Sequence, residues 1–262
     1  MLKDQKSLKV ALLQQELVWE NANENHQKID RELASIEKHV DLIVLPEMFT
    51  TGFSMSPKGL AESMDGVTVQ WMQEKAKILD AAVVGSVIIE EDACYYNRLL
   101  FVHPSGKIDS YDKRHAFAMA GEDKEYTSGK AKLIVDFRGW KICPLICYDL
   151  RFPVWARNVE NYDVLLYVAN WPTPRKEAWS ALLKARAIEN MSYCIGVNRV
   201  GVDANGYQYS GNSAVYDYLG KELTTFNESI ETILYASLEK EEMLAARAKL
   251  PFLEDKDQFH IQ

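Results

Sequence analysis

Short apolar runs alternate with stretches of helical periodicity along this chain. Lys9 to Gln14 reads as a first strand. From Asn21 to Lys38 the chain predicts an amphipathic helix, since Ile29, Leu33, Ile36 and Val40 recur at spacings of four, three and four. Asp41 to Pro46 is an apolar run short enough for a buried strand. Val67 to Leu79 predicts a second helix, with Val69, Met72, Ala76 and Leu79 on one face. Ala81 to Ile89 and Tyr95 to His103 predict a hairpin, and Pro104-Ser105-Gly106 turns the chain into another strand, Lys107 to Asp112. Leu133 to Phe137 and Trp140 to Ile146 flank an Arg138-Gly139 turn. A strand (Tyr162 to Ala169), a helix (Lys176 to Met191) and a strand (Tyr193 to Arg199) follow. Gly206, Gly211 and Gly220 punctuate short strands, and Leu238 to Lys249 predicts a charged helix stopped by Pro251.

Strands alternating with helices imply an α/β protein, here with hairpins interleaved. With no repeat, low-complexity tract or linker, one domain spanning 1–262 is expected, with an extension from about 238 that packs on a partner subunit. Three reactive residues, Glu47, Lys113 and Cys147, each follow a strand. Loops at strand C-termini are where α/β sheets place their chemistry.

The stretch from Trp140 to Asn158 has the most to say. Its first half is β-rich, although Pro144 points to an edge or a bulge. Its second half looks helical, with Phe152, Trp155 and Val159 at spacings of three and four and Pro153 suited to a first turn. Cys147 therefore sits at a strand-to-helix junction, where backbone N–H groups can lower a thiol pKa and receive a developing oxyanion. The plainer reading is a small buried hydrophobe.

A thiol is little ionised at neutral pH and needs a base, which a carboxylate such as Glu47 can supply. Lys113 can hold the oxyanion and keep that carboxylate ionised. Taken singly, Glu47 reads as a loop charge and Lys113 as part of a polar turn. Together with Cys147 they form a complete acyl-transfer set without histidine.

Composition narrows the partners. A formal net charge of −8, with no basic cluster, argues against nucleic acid or an anionic membrane surface. No apolar run reaches the eighteen or so residues of a membrane span, and the start at Met1 shows no signal-peptide pattern, which implies the cytoplasm. Cys143 and Cys147, four apart on one strand, lie about 13 Å apart, too far for a disulfide. Cys94 and Cys194 complete the set, without a C-x-x-C pair. The five histidines, His26, His39, His103, His115 and His260, lack metal-ligand spacing, so no metal and no cofactor is expected.

Leu45-Pro46-Glu47-Met48-Phe49, Tyr111-Asp112-Lys113-Arg114-His115-Ala116-Phe117 and Leu145-Ile146-Cys147-Tyr148-Asp149-Leu150-Arg151-Phe152-Pro153 resemble, in order, the three signature blocks of the nitrilase superfamily of carbon–nitrogen hydrolases. Trp179 to Asn190, Asn198 to Gly201, and Asn205-Gly206 with Tyr209 to Ser213 extend the likeness, so that it runs from about residue 8 to about residue 238. The resemblance implies an α-β-β-α sandwich, with two mixed sheets face to face and helices on both outer faces. Subunits would pair through helices beside the nucleophile strand, as a homodimer or larger homo-oligomer. It makes Glu47 the general base, Cys147 the nucleophile and Lys113 the stabiliser of the tetrahedral intermediate, with the Tyr148 backbone N–H completing the oxyanion site. It also implies a second glutamate, seven residues before a loop glycine. Gly129 points back to Glu122, with Glu125 as competitor.

Cys147-Tyr148-Asp149-Leu150-Arg151-Phe152-Pro153 and the run Tyr167 to Arg175 are similar to the omega-amidase branch. That implies a small-molecule substrate, the terminal amide of 2-oxoglutaramate or 2-oxosuccinamate, cleaved to ammonia through a Cys147 thioester. A carbamoyl compound, deaminated glutathione, or a catalytically idle binding protein are the alternatives. Such a substrate carries a carboxylate, for which Arg175 is a candidate against a plain surface arginine. Asp149 and Arg151 read as an ion pair or cap behind the nucleophile. Phe53, Phe117 and Trp171 are candidate pocket walls. Ala116 departs from the leucine that many relatives carry there.

Overall fold

The computed structural model describes residues 5–36, 39–225 and 228–259. The first part of the chain forms β1 (Ser7–Gln14), α1 (Ala22–Ala34), β2 (Leu42–Val44), α2 (Val67–Leu79), β3 (Ala82–Glu91), β4 (Cys94–Val102), β5 (Ile108–Asp112) and a single turn, α3 (Glu122–Glu125). The second part forms β6 (Val135–Phe137), β7 (Trp140–Ile146), the one-turn α4 (Pro153–Ala156), β8 (Val164–Ala169), α5 (Lys176–Asn190) and β9 (Tyr193–Asn198). The short β10 (Val200–Val202), β11 (Gln208–Ser210) and β12 (Ala214–Tyr216) follow, then β13 (Thr232–Glu239) and α6 (Lys240–Lys249). The predicted end of the first helix, Lys38, lies outside the described residues, as do Met1 and His260.

Two mixed sheets carry the fold. One runs in the order β13-β1-β2-β3-β4-β5 and the other β12-β9-β8-β7-β6. In each, the central strands are parallel, β1-β2-β3 and β7-β8-β9, with antiparallel strands outside them. Side chains alternate across a strand, and both faces of the first sheet are apolar. Leu8, Val10 and Leu12 of β1 share a core with Leu145, Leu165 and Ile195 of the second sheet. Ala11 and Leu13 turn the other way, onto Ile29 and Leu33 of α1 and the Val69/Met72/Ala76 face of α2. Trp179, Leu183 and Ala187 of α5 cover the second sheet. The expected α-β-β-α sandwich is the observed architecture.

The turns have local causes. Asn21 caps α1, its side chain accepting from the Glu24 N–H at 3.1 Å. Asp92 and Ala93, both at positive φ, close the β3–β4 hairpin. Pro144 is tolerated because β6 pairs with β7 only as far as Ile142, which leaves the rest of that strand an open edge on one side.

Two expectations need correction. The helix drawn through Phe152, Trp155 and Val159 is only the four residues of α4, because buried Asn158 holds the chain in a loop. Its Oδ1 accepts from the Tyr162 N–H at 2.8 Å and its Nδ2 donates to the Asn190 carbonyl at 3.1 Å. Leu238 does not start the terminal helix but belongs to β13, which pairs antiparallel with the whole length of β1. Beyond β13, α6 packs one face on its own chain. Met243 is fully buried, and Arg247 Nη2 donates to the Tyr162 carbonyl at 2.7 Å.

Candidate active site

Strand ends deliver the three reactive residues to one place. Glu47 stands just past β2, where Leu45 N–H still donates to Val84 O at 2.7 Å and Met48, at φ 43°, turns the chain away. Lys113 follows β5, with its N–H on Asn97 O at 3.0 Å and its carbonyl accepting from Gly129 N–H at 2.9 Å. Cys147 opens a 3₁₀ turn, Cys147–Arg151, directly after β7, at a left-handed φ of 41° that a non-glycine residue adopts only under constraint.

Lys113 Nζ lies 2.8 Å from Glu47 Oε1 and 2.9 Å from both Glu122 oxygens. Glu47 and Glu122 are fully buried, and Lys113 nearly so. Glu122 thus joins Glu47 at the Lys113 ammonium. Its Oε2 also accepts from the Phe117 N–H at 2.5 Å, while Glu125 has no part in the cluster. Gly129 is required nearby for space, since a Cβ there would come 2.1 Å from the Asp112 carbonyl oxygen. Across the gap between the sheets, Glu47 Oε2 accepts from the Asn170 N–H at 2.8 Å, and Asn170 Nδ2 donates to the Glu47 carbonyl at 2.6 Å.

These contacts settle the charges. Burial opposes the Lys113 ammonium, but the Glu122 and Glu47 carboxylates outweigh it and hold Lys113 charged. Burial, with Glu47 adding to it, raises the Glu122 carboxyl against the pull of Lys113. The Cys147 thiol also goes up, by burial and by the Glu47 charge, and Lys113 offsets this only in part. A junction that lowers the thiol pKa, as its place before a helical turn predicts, is therefore not what forms. Burial and the Glu47 contact thus favour the thiol form of the sulfur.

The thiol and Lys113 open onto a cavity of about 850 Å³. Phe53, Phe117, Tyr148, Trp171 and Arg175, all expected at the site, line it. The Lys113 ammonium sits 5.0 Å from the centre of the Phe53 ring, and Phe117 and Tyr148 meet edge to face at 4.9 Å. Arg175 stacks over Phe117 at 5.3 Å and Arg151 over Trp171 at 4.9 Å. Neither guanidinium has a carboxylate partner within ion-pair distance among the described residues.

Arg151 is thus a pocket wall and not the ion-pair partner of Asp149. Asp149 does cap the Cys147 turn. Its Oδ2 accepts from the Ile146 N–H at 3.1 Å and from Tyr111 OH at 2.8 Å, and its Oδ1 from the His115 N–H at 3.0 Å. One buried carboxylate so ties the Cys147 turn to the Lys113 loop. Sequence reasoning missed Asn97, and it missed Trp19, Glu20 and Tyr209 on the far wall. Asn97 left a signal, a lone amide inside the apolar run of β4. Tyr209, on β11, lies in a block that extends the family likeness, whereas Trp19 and Glu20, in the loop before α1, left no signal.

The carbon-nitrogen hydrolase family profile matches residues 9–248. Omega-amidase YafV of Escherichia coli (strain K12) is 47% identical over 97% of this chain and 98% of its own. A 2-oxoglutaramate amidase of Bacillus subtilis is 31% identical over 94% and 96%. A crystal structure of a CN-hydrolase superfamily protein from Xanthomonas campestris superposes with a TM-score of 0.95 at 39% identity, over 98% of this chain and all of that one. By sequence along nearly its whole length, and by the sandwich that sequence builds, the chain belongs to the carbon–nitrogen hydrolase family of the nitrilase superfamily.

Proposed function

We propose that this protein is an omega-amidase, hydrolysing the terminal amide of small 2-oxo acid monoamides such as 2-oxoglutaramate and 2-oxosuccinamate to the dicarboxylate and ammonia. The observation that carries the reading is the buried Glu47–Lys113–Cys147 cluster beside a cavity lined by two guanidiniums that have no carboxylate partner among the described residues. The thiol proton passes to Glu47 as sulfur attacks the amide carbonyl. Lys113 and the Tyr148 N–H, in the first turn of the Cys147–Arg151 segment where helical N–H groups lack partners, hold the oxyanion. Glu47 returns the proton to the departing nitrogen, and ammonia leaves a Cys147 thioester. Water, deprotonated by Glu47, then attacks the thioester. Collapse gives the carboxylic acid and a thiolate that regains its proton from Glu47. Glu122 supports Lys113 from behind.

Arg175 and Arg151 suit the substrate's far carboxylate, since each offers a planar set of donors. The names of the relatives in Escherichia coli and Bacillus subtilis support the same substrate class. A cavity of about 850 Å³ holds more than a five-carbon acid, which favours deaminated glutathione as the second reading. Exposed Val154 on α4 and Ile188 on α5, beside the nucleophile strand, support a homodimer, checked by light scattering.

The test is ammonia release from a panel of 2-oxoglutaramate, 2-oxosuccinamate, glutamine, a carbamoyl amino acid and deaminated glutathione. The highest kcat/KM is expected for the first two, and Cys147→Ala should abolish turnover while the protein stays folded. Equal rates on glutamine would overturn the substrate, and an active Cys147→Ala would overturn the mechanism.

A further inference from the structure

Asn97 sits on β4, 1% exposed, and its side chain faces the catalytic cluster. Nδ2 donates to Glu47 Oε1 at 2.8 Å and to Glu122 Oε1 at 3.1 Å. Both N–H bonds of one amide are thereby spent on two carboxylates. Oδ1 of the same amide is buried and finds no donor. A buried polar atom without a partner is rare and calls for a cause. Here the carboxylates supply it. The flipped amide would place Oδ1 against anionic oxygens, so the orientation that serves Glu47 and Glu122 is kept at the expense of Asn97's own acceptor.

The consequence falls on Glu47. Its Oε1 already accepts from Lys113 Nζ at 2.8 Å, and with Asn97 both acceptor sites of that oxygen are filled. Among the described residues its Oε2 accepts one backbone N–H, that of Asn170 at 2.8 Å, which leaves a second site for the neighbouring Cys147 thiol. We infer that Asn97 is a positioning residue, which saturates Oε1 of Glu47 and so makes Oε2 the atom that takes the Cys147 proton. The inference rests on the reading of Glu47 as the base. The titratable groups facing Glu47 are Lys113 after β5, Glu122 on α3, Tyr126 beyond it, and Cys147 after β7. Arg98, the next residue, projects to the other face of β4, where it pairs with Asp112 at 2.6 Å and Glu91 at 3.0 Å. An amide suits the position because it donates without titrating and so does not compete with Glu47 for the proton.

The experiment is the pH dependence of ammonia release from 2-oxoglutaramate by the full chain carrying Asn97→Leu or Asn97→Asp. Asn97→Leu removes the donor and keeps water out. It is expected to lower kcat about tenfold with KM within about twofold, and to move the acidic limb of kcat/KM up by about one unit. Asn97→Asp keeps the shape but adds a negative charge beside Glu47, so its limb should move further up. It also decides the matter alone if Asn97→Leu does not fold. Acidic limbs that stay at the parent position in the folded variants overturn the inference, even where activity drops, because a merely structural residue lowers rate without moving the limb. Glu47→Gln, run in parallel, separates the two levels. Near-normal turnover there removes Glu47 as the base, whereas a dead Glu47→Gln beside unmoved Asn97 limbs overturns this inference alone.

Discussion

Lys113→Met removes the charge at the centre of the cluster while its side chain fills most of the lysine stem. Lys113 Nζ makes three contacts of 2.8–2.9 Å to two carboxylates, all of them out of solvent. After the change, Glu47 and Glu122 face each other with only Asn97 and backbone N–H groups as donors. Breaking a buried ion pair by removing one partner costs about 3–5 kcal/mol, because a buried charge is left uncompensated. At roughly 2–4 °C per kcal/mol for a chain of this size, Tm should fall by roughly 10 °C. The deficit must depend on pH, with a definite sign. Glu122 is already raised by burial and by Glu47, and the variant loses the Lys113 charge that opposes them. A group whose folded pKa lies above its unfolded value contributes stability below the unfolded pKa and loses it as pH rises through the folded one. The gap between parent and variant should therefore be smallest near about pH 5 and widen toward about pH 8. Calorimetric Tm of both proteins across that range reads it, and ammonia release should drop on the order of a hundredfold or more with the oxyanion donor gone. A gap that does not change with pH, or turnover within tenfold of the parent, would refute the charge accounting.

Two further substitutions probe the support and the walls. Gly129→Ala forces a Cβ to within 2.1 Å of the Asp112 carbonyl, so the end of β5 must move. About 1–3 kcal/mol of stability should be lost, and kcat should fall by roughly tenfold or more as Lys113 leaves its position; unfolding curves and turnover check both. Arg151→Ala and Arg175→Ala should each raise KM for 2-oxoglutaramate about tenfold or more, the worth of a hydrogen bond to a charged group. Neither should alter hydrolysis of an uncharged amide of similar length, and equal losses on both substrates would assign the arginines to structure.

Most elements and their order are legible along the chain because each is written locally, whereas Glu47, Lys113 and Cys147 stand out as a set only through the family likeness of their three blocks. Periodicity marks α1 and α2, and apolar runs mark where β2 and β7 lead to Glu47 and Cys147, while the turn at Pro104-Ser105-Gly106 marks the strand that leads to Lys113. The resemblance, which sets a glutamate seven residues before a loop glycine, points to Glu122 over Glu125. Local pattern misleads where a distant partner intervenes. Asn158, held by Tyr162 and Asn190, cuts short the helix that Phe152 and Trp155 advertise, and β1 recruits Leu238 into a strand.

Sequence by itself thus determined most of the secondary structure, since helix and strand periods are properties of neighbours along the chain, and through its family blocks it singled out the candidate side chains. Tertiary structure alone decided what those side chains become. Lys113 meets Glu47 across 66 residues, and Asn170 meets it across 123. Such contacts depend on the register of two sheets and the way they face each other. Burial in that gap keeps the Cys147 sulfur a thiol, exposes Arg151 to the cavity and brings Asn97 between two carboxylates, because dielectric surroundings and neighbours across a packed interface are set only when the sheets close.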